Sequence, residues 1–203
     1  MQLKWEFERD RSVLIVIDMQ NDFVRDGAVM QVTEAKTQLP KIKSLIDKCR
    51  ELHVPVIYTI QETDPVFCPL EVATFPHLRE SGMRRDSEGA QIVDELSPFA
   101  DDIIIRKRRF SAFYQTDLEL ILRNIRGSKS PVDTVIICGT VTNICCESTA
   151  RDAFFRDYKV VFGTDICSAN TLAAHNATLE NMEIFGRNMS CADIIKALKV
   201  GRG

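Results

Sequence analysis

Five short runs rich in Val and Ile constrain this chain more than anything else in it: Val13–Ile17, Val54–Ile60, Ile103–Ile105, Val132–Cys138 and Lys159–Phe162. A strand with one wet face alternates apolar and polar residues. Most of these runs do not alternate, so they predict strands buried on both faces of a parallel sheet. Helical patterns lie between them. Ile42, Leu45, Ile46, Cys49 and Leu52 share one face of a helix over Lys41–His53. Thr116-Asp117-Leu118-Glu119 reads as a capping box opening a helix that stops at Gly127. Further helices are predicted from about Asn143 to Asp157 and from about Asn170 to Phe185, the latter ended by Gly186. A short sixth strand near Arg187–Ser190 and a terminal helix from Ala192 complete the pattern. Strands alternating with helices predict a doubly wound α/β domain.

At 203 residues the chain suits one such domain, spanning 1–203. Within it, residues 61–100 break the rhythm, holding Pro65, Pro69, Pro76 and Pro98 with little periodicity. An irregular insertion of that length in a compact domain is usually a functional loop, so it is the expected substrate-specificity region.

Charge and composition exclude several classes. The net charge of −3 offers no basic stripe for nucleic acid, and no apolar run is long enough for a membrane span. Met1-Gln2-Leu3-Lys4-Trp5-Glu6 lacks the apolar core of a secretion signal. Seven cysteines, two of them the adjacent Cys145 and Cys146, fit a reducing compartment better than a disulfide scaffold, and the expected location is cytoplasmic. Neither a Gly-x-Gly-x-x-Gly nor a P-loop pattern is present.

Ligands of open parallel sheets bind at the carboxyl ends of the strands. Asp18 follows the first run, with Gln20, Asn21 and Asp22 behind it. Lys107 follows the third, and Thr140-Val141-Thr142-Asn143-Ile144-Cys145 follows the fourth. A carboxylate, an ammonium and a thiol thus converge on one sheet edge. At the start of a helix, the dipole and free N–H groups favour an anion, so a stabilised Cys145 thiolate is expected, with Asp18 as proton acceptor. Cys49, Cys138 and Cys167 read as buried core residues, and His175 as a structural histidine on its helix.

Four stretches carry a family resemblance: VLIVIDMQNDF at 13–23, KRRFSAFYQTDLELILR at 107–123, ICGTVTNICCESTARDAFFRDY at 137–158 and DICSANTLAAHNATLENMEIFG at 165–186. Together they resemble the isochorismatase-like cysteine hydrolase superfamily, in particular its N-carbamoylsarcosine and ureidoacrylate amidohydrolase branch. The resemblance implies a three-layer α/β/α, Rossmann-like fold with a six-stranded parallel sheet ordered 3-2-1-4-5-6. It implies Cys145 as nucleophile, Asp18 as general base and acid, and Lys107 as stabilising cation. It further implies a cis peptide between Thr140 and Val141, and an oxyanion hole from the Val141 and Cys145 N–H groups. With that strand order, β-strand three lies two spacings, roughly 9–10 Å, from strand one, so Lys107 must extend fully to meet Asp18.

Nicotinamidases of the superfamily carry an Asp-x-His and a further His that bind a metal after the second strand. Here Tyr58-Thr59-Ile60-Gln61-Glu62-Thr63-Asp64 contains no histidine, so no catalytic metal or other cofactor is expected. The expected activity is C–N hydrolysis of a small carbamoyl, ureido or amide substrate through a thioester, in a homo-oligomer (dimer or tetramer). Gln20, Phe23, Phe110, Phe113 and Tyr114 flank the motifs and are candidate pocket residues, all but Phe113 taken as substrate-binding. Nicotinamide hydrolysis, ester hydrolysis and a non-catalytic metabolite-binding module stay open as alternatives.

Overall fold

The computed structural model describes residue 5 and residues 8–127 and 131–200. The N-terminal segment read as lacking a signal lies outside the described residues except for Trp5. In chain order the elements are β1 (Ser12–Ile17), α1 (Asn21–Val24), α2 (Thr33–Glu51), β2 (Val56–Gln61), α3 (Pro69–Thr74), α4 (Pro76–Glu80), β3 (Ile103–Lys107), α5 (Leu118–Asn124), β4 (Thr134–Thr140), α6 (Glu147–Phe154), β5 (Lys159–Ser168), α7 (Leu172–Phe185), β6 (Arg187–Met189) and α8 (Cys191–Val200). A single π-helical turn, Thr142–Cys146, joins β4 to α6.

The six strands form one parallel sheet in the order β3-β2-β1-β4-β5-β6. Alternate residues of β1 feed different layers. Leu14 and Val16 pack with α2 and α8 on one face, whereas Val13, Ile15 and Ile17 pack with α5, α6 and α7 on the other. Both layers are apolar, which is why the inner strands read as continuous Val and Ile. The winding direction reverses between β1 and β4, and a crevice opens there at the carboxyl ends.

The element limits differ from the sequence expectations in instructive ways. Helix α2 begins at Thr33 rather than Lys41, running through Pro40. Pro40 sits on the exposed side while Ala35, Leu39 and Ile42 keep the buried stripe continuous, and this burial outweighs one missing backbone donor. Strand β5 continues past Phe162 to Ser168, its register against β4 shifting between Ile137 and Gly139. The 61–100 insertion is not structureless. Pro69 and Pro76 each open a short helix, a position where the missing N–H costs nothing. Among the described residues, no helix is long and apolar enough to cross a membrane.

Candidate active site

Strand β1 ends at Ile17, paired with Gly139 of β4. Gly139 has φ +119, and a Cβ on it would lie 2.0 Å from the Ile17 carbonyl oxygen. Only glycine permits this approach. It brings the Thr140 hydroxyl to donate to the Asp18 carbonyl at 2.8 Å. The peptide between Thr140 and Val141 is cis, and Asp18 itself adopts a left-handed φ of +46. The ends of two adjacent strands are thereby locked to each other.

Thr59, on β2, holds the Asp18 carboxylate in place. Its hydroxyl accepts from the Asp18 N–H (3.0 Å) and donates to Asp18 Oδ1 (2.5 Å). On the far side of β2 lies the edge strand β3, where Ile104 and Arg106 face outward and Ile105 and Lys107 inward. The Lys107 side chain crosses β2 to place Nζ 2.7 Å from Asp18 Oδ2. On the way it donates to Gln61 Oε1 at 2.5 Å, and it also reaches the Arg109 carbonyl at 3.2 Å. Both ends of the ion pair have zero side-chain exposure.

Cys145 sits in the π turn, 3% exposed. Asp18 and the Lys107 ammonium lie close enough to act on its thiol. Burial pushes the thiol up to about 12; the Lys107 ammonium opposes the shift, while Asp18 adds to it. Burial and the neighbouring carboxylate thus work against the thiolate expected at a helix start. Both effects favour the neutral thiol. For Lys107, burial pulls downward, but Asp18 and Cys145 together hold the ammonium above its ordinary value. The site thus brings together an ammonium, a carboxylate and a thiol.

A cavity of about 500 Å³ opens on Cys145, within the usual size of a small-molecule site. Phe23, Phe110 and Val141 line it, with Phe75, His77 and Met83 contributed by the 61–100 insertion. The insertion is pinned by the residues after Asp18. The Asn21 and Asp22 N–H groups donate to the Gln91 and Gly89 carbonyls, and Asp22 Oδ2 accepts from the Met83 N–H.

Two of the substrate-binding expectations fail on geometry. Gln20 is fully buried, and its side chain clamps backbone instead, donating to the Gln61 and Ala90 carbonyls and accepting from the Gln61 N–H. Tyr114 is half exposed and belongs to a separate depression beside Arg106, Arg108 and Arg109. Phe113, also considered for the pocket, is buried against the Tyr158 ring and under the Arg156 guanidinium. Nearness in sequence to a motif says nothing about which way a side chain faces. His175 is structural, held between the Thr142 hydroxyl and the Thr164 carbonyl at 3.0 Å each. Cys49, Cys138 and Cys167 are buried.

Thr59 and Gln61 went unremarked in the sequence. Both are polar residues at the carboxyl end of an otherwise apolar strand next to β1, and that placement was the available signal. Among the described residues, no three His, Cys, Asp or Glu side chains cluster as metal ligands. Glu62, which follows β2, is paired with Arg106.

Comparison with known proteins agrees with this construction. The isochorismatase domain model matches residues 12–194. A protein of Arabidopsis thaliana named as a "probable inactive nicotinamidase" is 33% identical over 180 residues, covering 86% of this chain and 89% of its own length. The ureidoacrylate amidohydrolase of Acinetobacter baylyi is 29% identical over 197 residues, with 87% and 78% covered. Among solved structures, a cysteine hydrolase from Pseudomonas syringae pv. phaseolicola superposes with a TM-score of 0.89 at 29% identity, over 97% of this chain and 96% of that one. The match begins at β1 and ends within α8, so that the sheet, the helix layers and the strand ends bearing Asp18, Lys107 and Cys145 all fall inside it, and the chain belongs to the isochorismatase family.

Proposed function

We propose that this protein is a cysteine-dependent hydrolase that cleaves a C–N bond of a small amide, carbamoyl or ureido compound through a thioester on Cys145. One observation carries the reading: a buried thiol beside a carboxylate, itself ion-paired with a buried ammonium, at the wall of a ligand-sized cavity. Asp18 takes the thiol proton as Cys145 attacks the substrate carbonyl. The Val141 and Cys145 N–H groups receive the oxyanion. Collapse breaks the C–N bond, and Asp18 returns the proton to the departing nitrogen. A water molecule, deprotonated by Asp18, then attacks the thioester and releases the acid, and the proton goes back to sulfur. Lys107 holds the Asp18 carboxyl in position through their 2.7 Å contact.

The raised thiol supports proton transfer coupled to attack rather than a preformed thiolate. The test is an ammonia-release screen over simple amides, ureido acids, carbamoyl amino acids and nicotinamide, with Cys145→Ala as control. Turnover that is lost in the variant supports the reading. Equal turnover in the variant contradicts it.

A further inference from the structure

We infer that the substrate is an uncharged carboxamide with an apolar acyl group, an inference that rests on the amide-hydrolase reading above. The cavity on Cys145 is walled largely by Val29, Met30, Phe75, Leu78, Met83 and Phe110. These come from the loop after α1, from the 61–100 insertion and from the segment after β3, so independent parts of the chain supply the same apolar chemistry. Such a wall gains by covering hydrocarbon and offers nothing to a charge.

The nearby cations are committed elsewhere. Arg106 pairs with Glu62, and Arg109 pairs with Glu71 and donates to the Phe67 carbonyl. Arg108 stacks on the Phe67 ring. All three arginines border the separate depression shared with Tyr114. Lys107 is occupied by Asp18, Gln61 and the Arg109 carbonyl. Among the described residues, no Lys, Arg, Asp or Glu lines the cavity, and its polar side chains are Gln31, Gln61, His77 and Asn170. A substrate carboxylate would lose its hydration there with no lysine or arginine to pair with.

One polar side chain next to the reaction centre has an unused donor. Gln61 is 1% exposed and lines the cavity, and its Nε2 has no hydrogen-bond partner among the described residues. Its orientation is fixed, because a flip would turn the amide nitrogen onto the Lys107 ammonium. Gln20 holds the Gln61 backbone on both sides. The cavity therefore combines apolar walls with the amide side chains of Gln31, Gln61 and Asn170 and the His77 ring, which suits an uncharged carboxamide carrying an apolar group.

The test separates this inference from the catalytic reading by measuring binding without turnover. Cys145→Ala, with Cys145→Ser as a second variant should the first fold poorly, is titrated calorimetrically with size-matched pairs: hexanamide against adipic acid monoamide, and phenylacetamide against its 4-carboxy derivative. The expected result is that each neutral amide binds at least about 100-fold more tightly than its carboxylate partner. Equal affinity, tighter binding of the acids, or no binding of any of the four overturns the inference. Ammonia release by the wild-type protein is scored separately. Selective binding without Cys145-dependent release would defeat the hydrolase reading while leaving the cavity's preference standing.

Discussion

Lys107 Nζ lies 2.7 Å from Asp18 Oδ2 although their strands, β3 and β1, are separated by β2. The lysine spans the intervening strand, and Gln61, paired with Lys107 in the β2–β3 register, supports it at the crossing point. Because both charges are withdrawn from solvent, each is tolerable only in the presence of the other.

Asp18→Asn therefore removes two things at once. It deletes the proton acceptor for Cys145 and leaves a buried ammonium without a counter-ion. Activity is expected to fall by at least about 10³-fold, and stability by about 3–5 kcal/mol. Steady-state kinetics and urea unfolding measure the two losses. Lys107→Met alone leaves a buried carboxylate unpaired and is expected to be similarly unstable, whereas the double variant Asp18→Asn/Lys107→Met should regain part of the stability and none of the activity.

The raised Cys145 thiol has two consequences for pH. Its modification by a methanethiosulfonate reagent in the free protein is expected to be slower near neutral pH than that of an exposed cysteine, rising as pH approaches about 12. A fast neutral reaction would contradict the protonated resting state. Cys49 is likewise pushed up to about 12 by burial. Folded-state values above the ordinary value of 9 mean that the native protein binds more protons than the unfolded chain between roughly pH 9 and 12. The stabilisation from these thiols is complete below pH 9 and is lost as pH rises through that window. Chemical denaturation at pH 8 and pH 10.5 checks the sign, and the Cys49→Ala/Cys145→Ala variant should show a weaker loss.

Gly139→Ala is expected to damage the site through backbone alone. The new Cβ would meet the Ile17 carbonyl oxygen in a φ region that alanine disfavours, forcing β4 away from β1. A loss of at least about 2 kcal/mol and of nearly all turnover is expected, measured by thermal unfolding and ammonia release. By contrast, Gly127, whose added Cβ meets nothing within 4 Å, should tolerate alanine with only local strain.

Gln20 and Tyr114 were both candidates for substrate contact and should behave oppositely when truncated. Gln20→Ala orphans the Gln61 N–H and the Gln61 and Ala90 carbonyls, so a stability loss of about 1–3 kcal/mol is expected. Tyr114→Ala should change kcat/KM by less than about twofold, because the ring lies outside the cavity.

The contrast between these residues shows what was legible in the chain. Strands β1 and β4 were plain because apolar layers cover both their faces, and Asp18, Lys107 and Cys145 follow from asking what stands at strand ends. The six-stranded order and the Thr140–Val141 peptide came from family resemblance rather than from periodicity. Less was readable where one residue carries two opposed signals. Pro40 reads as a break yet lies inside α2, and Pro69 and Pro76 read as irregularity yet open helices. Side-chain direction was the other gap. Gln20 turns inward and Tyr114 outward, a difference set by tertiary packing that no spacing rule contains. The effect of burial on the Cys145 thiol is hidden from the sequence for a related reason, since desolvation depends on how deeply the π turn is covered.

The central claim is that Cys145 becomes acylated. Intact-protein mass spectrometry after rapid acid quench of the enzyme with a turned-over amide tests it most directly. The expected result is a mass gain equal to the substrate's acyl group, mapped to the peptide containing Cys145 and absent from Cys145→Ala. Turnover without any adduct, or an adduct that persists in Cys145→Ala, would contradict the account.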